Sequence, residues 1–249
     1  MSKLYNYQYE DHVAIYPLGD IHLGSPNCNM ELVHKYIDGI AEKPDCFCLL
    51  LGDLLDMALA GSKSDVYTAT KAPGKAIVEA VELLRPLAEQ HKILTIMDGN
   101  HEERLARIAG ISPSEMIANM LGISNLYTPT TALLRFSCDN HSHLVYASHG
   151  NGCGGRPGSK INQLEKLSWI TDADIIVAGH VHMPAVYRSR YIKLDPKTGV
   201  ETEKERLFVN CASCLSYDGS YGDSKGYVAS SNTYPIIHFF PDREPMVTI

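Results

Sequence analysis

The hydrophobic pattern breaks the chain into short apolar runs set between polar turns. Val13–Leu18 and residues 46–51 read as buried strands, and residues 29–41 between them carry apolar side chains at helical spacing. Residues 74–90 repeat that spacing through Ile77, Val78, Val81, Leu84 and Leu87, and Ile93–Met97 predicts a third strand. This β-α-β-α-β order predicts neighbouring strands with helices packed on the sheet. Two short helices follow at Glu102–Ala109 and 113–121, the second opened by Ser112 as a cap with Pro113 in its first turn.

Beyond residue 130 the pattern changes. Strands are predicted at 132–137 and 143–148, then a glycine-rich loop at 150–158, a helix over 159–171 and a strand at 174–178. The tail reads mostly β, with strands at Ala185–Leu194, 206–210 and 234–240 and a polar loop at 216–231. The chain has no internal repeat, low-complexity tract or Pro/Ser-rich linker, so one domain spanning residues 1–249 with two sheets is expected.

Composition narrows the partners. With 249 residues, 45% hydrophobic and 20% charged, the chain can bury a substantial core. A net charge of −7 gives no global basic field, so nucleic acid is not the favoured partner, although a local basic groove is compatible with that total. The polar, tyrosine-rich start MSKLYNYQYEDH has no signal-peptide core, and the apolar run at 46–51 is too short to cross a bilayer, so no membrane partner is expected. Seven cysteines, an odd count without a repeating framework, predict reduced thiols and a cytoplasmic location. Cys211 and Cys214 form a lone CxxC, and without a second pair to complete four ligands they read as structural thiols.

The candidate chemistry gathers where the predicted strands end. GDIHLG brings Asp20 and His22, LLLGDLLD brings Asp53 and Asp56, MDGNHEE brings Asn100 and His101, YASHGNG brings His149, and AGHVH brings His180 and His182. Any one of these is ordinary, since GD and GN dipeptides are usually turns and a lone strand histidine is usually structural. Together they are not, because five of the 11 histidines fall in these loops with the acids and the asparagine. Residues i and i+2 of an extended segment point to one side, so Asp20 with His22, and His180 with His182, are expected to reach into one pocket. Mixed carboxylate and imidazole donors suit manganese, iron or zinc. Seven candidates, Asp20, His22, Asp53, Asn100, His149, His180 and His182, suit two ions sharing a carboxylate better than one tetrahedral ion.

The ordered set GDIHLG, GDLLD, GNHE, SHG and GHVH resembles the calcineurin-like metallophosphoesterase superfamily, over the stretch from Asp20 to His182. The resemblance implies an α/β fold of two mixed β-sheets packed as a sandwich flanked by helices, in four α/β/β/α layers. It also implies two divalent ions, manganese first, with iron, zinc or nickel as substitutes. Asp20, His22, Asp53 and His182 would hold one ion, and Asp53, Asn100, His149 and His180 the other, with Asp53 bridging. The implied activity is hydrolysis of a phosphodiester or phosphomonoester in a small molecule or nucleotide, by attack of a metal-bridging hydroxide. His101 is then the expected general acid, oriented by Asp56. Aspartate at position 56 resembles the protein-phosphatase and cyclic-nucleotide-phosphodiesterase branches, but Met57-Ala58 stands where protein phosphatases carry Arg-Gly.

Arg104 and Arg156 are the candidate phosphate-binding residues, and the glycines beside Arg156 could present backbone N–H groups to an anion. Residues 57–74 could fold over the site. Two other readings compete: a metal-dependent DNA exo- or endonuclease on the same scaffold, and a non-catalytic metal-binding scaffold protein. The sequence leaves the substrate, the native metal and the oligomeric state open.

Overall fold

The N-terminal segment KLYNYQ, polar in composition, forms a strand by alternation, burying Tyr5 while its neighbours face outward. In the computed structural model, which describes residues 3–62, 64, 66–139, 141–152 and 155–249, this is β1 (Lys3–Gln8). There follow β2 (Val13–Leu18), α1 (Met30–Glu42), β3 (Cys46–Leu50), α2 (Pro73–Glu89), β4 (Ile93–Met97), α3 (Glu102–Ala109), α4 (Pro113–Met120) and β5 (Tyr127–Thr128). The second half adds β6 (Thr131–Cys138), β7 (His141–Ser148), α5 (Pro157–Lys166), β8 (Ile175–Ala178), β9 (Ala185–Leu194) and β10 (Glu201–Asn210). It closes with α6 (Tyr221–Ser224), β11 (Ile236–Phe239) and β12 (Met246–Thr248).

Caps fix several boundaries. Asn29 is the cap of α1 rather than its first residue, with Oδ1 accepting from Leu32 N at 3.0 Å. Ser112 caps α4 as expected, its Oγ accepting from Glu115 N at 3.0 Å. The helix expected over 159–171 starts earlier, on Pro157, and gives way to a 3-10 turn at Leu167–Trp169.

The strands form two six-stranded sheets, ordered β1-β6-β7-β8-β10-β9 and β12-β11-β2-β3-β4-β5. Both are mixed. β2, β3, β4 and β5 are parallel in one, and β7, β8 and β10 are parallel in the other, with antiparallel partners at the flanks. Alternation along β8 shows the layering. Ile175 and Val177 join the large core between the sheets, whereas Ile176 and Ala178 point away and pack with Phe208, Tyr146 and Leu164 of α5. Helices α1 and α2 contribute Val33, Ile37, Ala80, Val81 and Leu84 to the core on the other sheet. This is the four-layer α/β/β/α arrangement that the resemblance implies.

In each parallel set the strands end on the same edge of their sheet, where an α/β fold places its ligands. β2, β3 and β4 thus deliver Asp20, Asp53 and Asn100, while β7 and β8 deliver His149 and His180. Among the described residues no helix is long and apolar enough to cross a membrane.

Candidate metal centre

β2 and β8 stop at Leu18 and Ala178, before either candidate pair begins. The pairs converge, but not by extended alternation. Asp20 (φ 53°), His22 (54°), Asp53 (47°), His180 (72°) and His182 (51°) all adopt left-handed backbone. They are five of the eight non-glycine residues with positive φ among those described, and each costs on the order of 1 kcal/mol locally. Loop-to-loop hydrogen bonds hold them: Asp20 N donates to Gly52 O at 3.1 Å, His22 N to Asp53 O at 2.9 Å and Gly179 N to His149 O at 3.0 Å. The loops pack so closely that Gly52 and Gly99 admit no side chain. A Cβ on Gly52 would lie 2.4 Å from Gly99 N, and one on Gly99 would lie 2.2 Å from Asp53 Oδ1.

These loops bring Asp20, His22, Asp53 and His182 into one group, and Asp53, His149 and His180 into another, with donor atoms in each within 4.8 Å of one another. Asp53 belongs to both. Asn100 joins the second group, its Oδ1 lying 3.1 Å from His149 Nε2. His22 Nε2 and His182 Nε2 face each other at 3.1 Å, and His180 Nδ1 stands 3.2 Å from His149 Nε2. The outward nitrogens of the second pair have other partners, because His149 Nδ1 lies 2.8 Å from Leu51 O and His180 Nε2 lies 3.2 Å from Gly152 O. Donating those protons to carbonyls leaves lone pairs turned towards each other at the centre, a placement that calls for a proton or a cation between them.

The carboxylates make the same demand. Asp20 is fully buried, and its Oδ1 has no hydrogen-bond partner although His182 Nε2 lies 3.2 Å away. A buried, unpartnered carboxylate oxygen amid imidazole nitrogens is a poor protein interior and a good cation ligand. Burial raises the Asp20 pKa, but His182 and His149 outweigh it and bring it to about 2. Burial alone would lower His149, yet the carboxylates of Asp53 and Asp20 lift it to about 10, so without a cation a proton compensates their charge. His22 moves the other way, down to about 4, through burial and the neighbouring His101. The donor set therefore fits divalent metal ions.

Beside these groups His22, Asp56 and His101 form a third cluster. His101 Nδ1 meets the backbone carbonyl of Asp56 at 2.7 Å and its carboxylate at 3.3 Å, so Asp56 contacts the imidazole chiefly through its main chain. Burial opposes the charged imidazole, but Asp56 and Asp53 prevail and raise the His101 pKa. Arg104 turns towards this cluster: Nη1 donates to Asp56 O at 3.1 Å and Ser64 Oγ at 2.7 Å, and Nη2 lies 2.8 Å from His101 Nε2. Arg156 is exposed at the start of α5 and stays outside the cluster. Within the stretch 57–74, Lys63 and Asp65 lie outside the described residues. The remainder is tied to the site edge by Ser64 Oγ on Asp56 Oδ1 at 3.1 Å and by Thr70 N on Gly24 O at 2.9 Å.

Two residues that the sequence did not assign to the site support it. Glu102, fully buried, accepts from the backbone N–H groups of Asp53 (2.9 Å), Leu55 (2.9 Å) and Gly99 (2.8 Å), fastening the β3 loop to the β4 loop. Burial and the nearby Asp53 carboxylate push its pKa up to about 7, against those N–H donors. The signal was the acid after GNH, which reads equally well as a helix first-turn residue. Cys211 is the second: its thiol, raised well above its ordinary pKa by burial and Asp20, remains a neutral donor to Asp20 Oδ2 at 3.3 Å.

No family model matches the chain, and no curated protein matches it. Among solved structures, it is similar to a conserved uncharacterised protein of Streptococcus pneumoniae described as a predicted phosphoesterase. The two are 14% identical over 93% of this chain and 85% of that one, with a TM-score of 0.40. Vacuolar Protein Sorting 29 from Cryptosporidium parvum is 15% identical over 96% of this chain and 97% of that one, at a TM-score of 0.45. Vps29 from Entamoeba histolytica, in a complex with zinc, is 14% identical over 95% and 97%, at 0.37.

Proposed function

We propose that this chain is a binuclear metal-dependent phosphoesterase of the calcineurin-like superfamily, hydrolysing phosphodiester or phosphomonoester bonds in a small molecule or nucleotide. The observation that carries the reading is the pair of donor groups sharing Asp53, with the buried Asp20 Oδ1 unpartnered between the histidines. Asp20, His22, Asp53 and His182 would hold one ion, and Asp53, Asn100, His149 and His180 the other. Manganese suits this mixed oxygen and imidazole set, with iron, zinc and nickel as substitutes. Bound there, the ions would supply Lewis-acid charge to the phosphoryl oxygens and acidify a water molecule at neutral pH.

The protein's own groups do the rest. His101, its pKa raised by Asp56 and Asp53, would carry at Nε2 the proton that a leaving alkoxide requires once Arg104 has turned from that nitrogen. Asp56 orients that imidazole through its carbonyl and adds charge through its carboxylate. Arg104, once turned from its internal partners, offers a planar pair of donors to a phosphate. The six described cysteines are all free thiols, which supports action in a reducing cytoplasm.

Purified protein loaded with manganese should hydrolyse bis-p-nitrophenyl phosphate or p-nitrophenyl phosphate, and Asp53→Asn should abolish turnover. No turnover of either compound, or of a panel of natural phosphoesters, with manganese, iron, zinc or nickel would overturn the assignment. Degradation of single-stranded or duplex oligonucleotides in preference to small esters would instead make it a nuclease.

A further inference from the structure

The segment Asn210–Cys214, NCASC, begins on the last residue of β10 and packs against the Asp20 loop. It attends to Asp20 at several points. Ser213 Oγ and Cys214 N both donate to Asp20 O, each at 3.0 Å, and Cys211 Sγ donates to Asp20 Oδ2 at 3.3 Å. Oδ2 also accepts the His180 N–H at 2.8 Å. The main-chain oxygen and one carboxylate oxygen of Asp20 are therefore satisfied by the protein, while the other, Oδ1, is buried without a hydrogen-bond partner.

The sulfur has a fitted seat. Cys211 is fully buried, and its own N–H is fixed to Ala178 O at 2.8 Å. A side chain on Gly179 would crowd it, since a Cβ there would lie 3.1 Å from Sγ, and one on Gly19 would just touch it at 3.4 Å. The same Cβ on Gly179 would meet Asp20 Oδ2 at 2.9 Å. Gly19 and Gly179 thus leave one space, and a small donor side chain fills it.

We propose that Cys211 is a positioning residue for a metal site: its thiol proton holds Oδ2 of Asp20, so that Oδ1 is turned to the group formed with His22, Asp53 and His182. The proposal rests on the binuclear reading above and concerns one ion of the two. A carboxylate with both oxygens free can rotate or bind in bidentate fashion, whereas one whose far oxygen accepts two hydrogen bonds presents a single ligand atom in a fixed direction. The lone CxxC of the sequence then has a use for its first cysteine that needs neither zinc nor redox chemistry.

The test is a titration of the metal-free chain with Mn2+ by calorimetry and with Co2+ by visible absorption, comparing wild type with Cys211→Ala and Cys211→Ser. Urea midpoints serve as a control for folding. In Cys211→Ala one ion of the two should bind roughly 10–100-fold more weakly, as expected when an outer partner of a ligand is lost. The Co2+ spectrum of that ion should change, the other should not, and Cys211→Ser, which keeps a donor, should recover most of the affinity. If Cys211→Ala does not fold, Cys211→Val, which fills the space without a donor, takes its place. Two ions bound by wild type and by the donor-less variant with equal affinity and equal spectra overturn the positioning role and leave the metal reading intact. A wild-type chain that binds no ion overturns the metal reading itself.

Discussion

Arg104 Nη2 stands 2.8 Å from His101 Nε2, so the nitrogen expected to protonate the leaving group already accepts a hydrogen bond from the protein's own guanidinium. With Nδ1 against the Asp56 carbonyl at 2.7 Å, both ring nitrogens are engaged, and the imidazole is held as its neutral Nδ1–H tautomer. For His101 to act as an acid, Arg104 must leave, and a bound phosphate offers it a better acceptor. Arg104→Ala should therefore raise KM more than it lowers kcat. A kcat loss with unchanged KM, measured with bis-p-nitrophenyl phosphate, would show that Arg104 never meets substrate.

The pH–rate profile carries the sign of each neighbour. Activity that needs protonated His101 falls as pH rises through its pKa. Arg104 lowers that pKa and Asp56 raises it, so Arg104→Ala should move the alkaline limb to higher pH and Asp56→Asn to lower pH. Asp56→Asn retains the carbonyl contact, so below the limb its kcat should change little. Limbs that coincide in all three proteins would remove His101 from the role of acid.

His101→Ala should cost roughly 10²–10⁴ in kcat on an ester with an alkoxide leaving group. The loss should be far smaller on p-nitrophenyl esters, whose leaving group needs no proton. An equal loss on both classes would point to damage at the neighbouring Asp53, whose Oδ2 lies 3.8 Å from His101 Nε2 and whose Oδ1 accepts the backbone N–H of residue 101 at 2.8 Å.

Metal uptake should release protons. His149, lifted to about 10 in the metal-free protein, is charged at pH 7 and must give up its proton to become a ligand. Manganese affinity should rise with pH from 6 to 9, with close to one proton released per chain, read by calorimetry in buffers of different ionisation enthalpy. The stability of the metal-free protein follows the opposite course. A folded pKa above the unfolded value of about 6.5 contributes stability below that value and loses it as pH rises towards about 10. Affinity independent of pH would show that His149 is not a ligand.

Glu102→Gln leaves one carbonyl oxygen where a carboxylate served three backbone N–H groups. It should cost on the order of 3 kcal/mol in urea unfolding and weaken binding of the ions by way of Asp53 and Asn100. A variant as stable as wild type would mean that the two loops are held by other contacts.

The donors were legible in the sequence because each lies where an apolar run ends with a glycine close by, and so were most strands and helices. The elements missed are those without a hydrophobic signature. β5 and β12 are too short for periodicity to register. The first half of β10, ETEKE, is wholly exposed and pairs with β9 through Arg188–Glu205 and Arg190–Glu203, so its strand character lies in pairing rather than burial. The left-handed backbone of the donors was equally hidden, since aspartate and histidine carry no mark of φ and the conformation is imposed by loops from elsewhere in the chain. For the same reason Glu102 and Cys211 were visible as residues but not as partners. Their roles depend on where Asp53 and Asp20 arrive in the fold.

Each donor group draws on both sheets. Asp20, His22 and Asp53 come from the sheet of β2 and β3, while His149, His180 and His182 come from that of β7 and β8. Ions bound there would rivet the two halves of the sandwich along their common edge, making metal occupancy a gauge of whether the halves are docked. Chelation should then loosen the whole molecule rather than one loop, and amide hydrogen exchange should quicken along the core strands of both sheets at once.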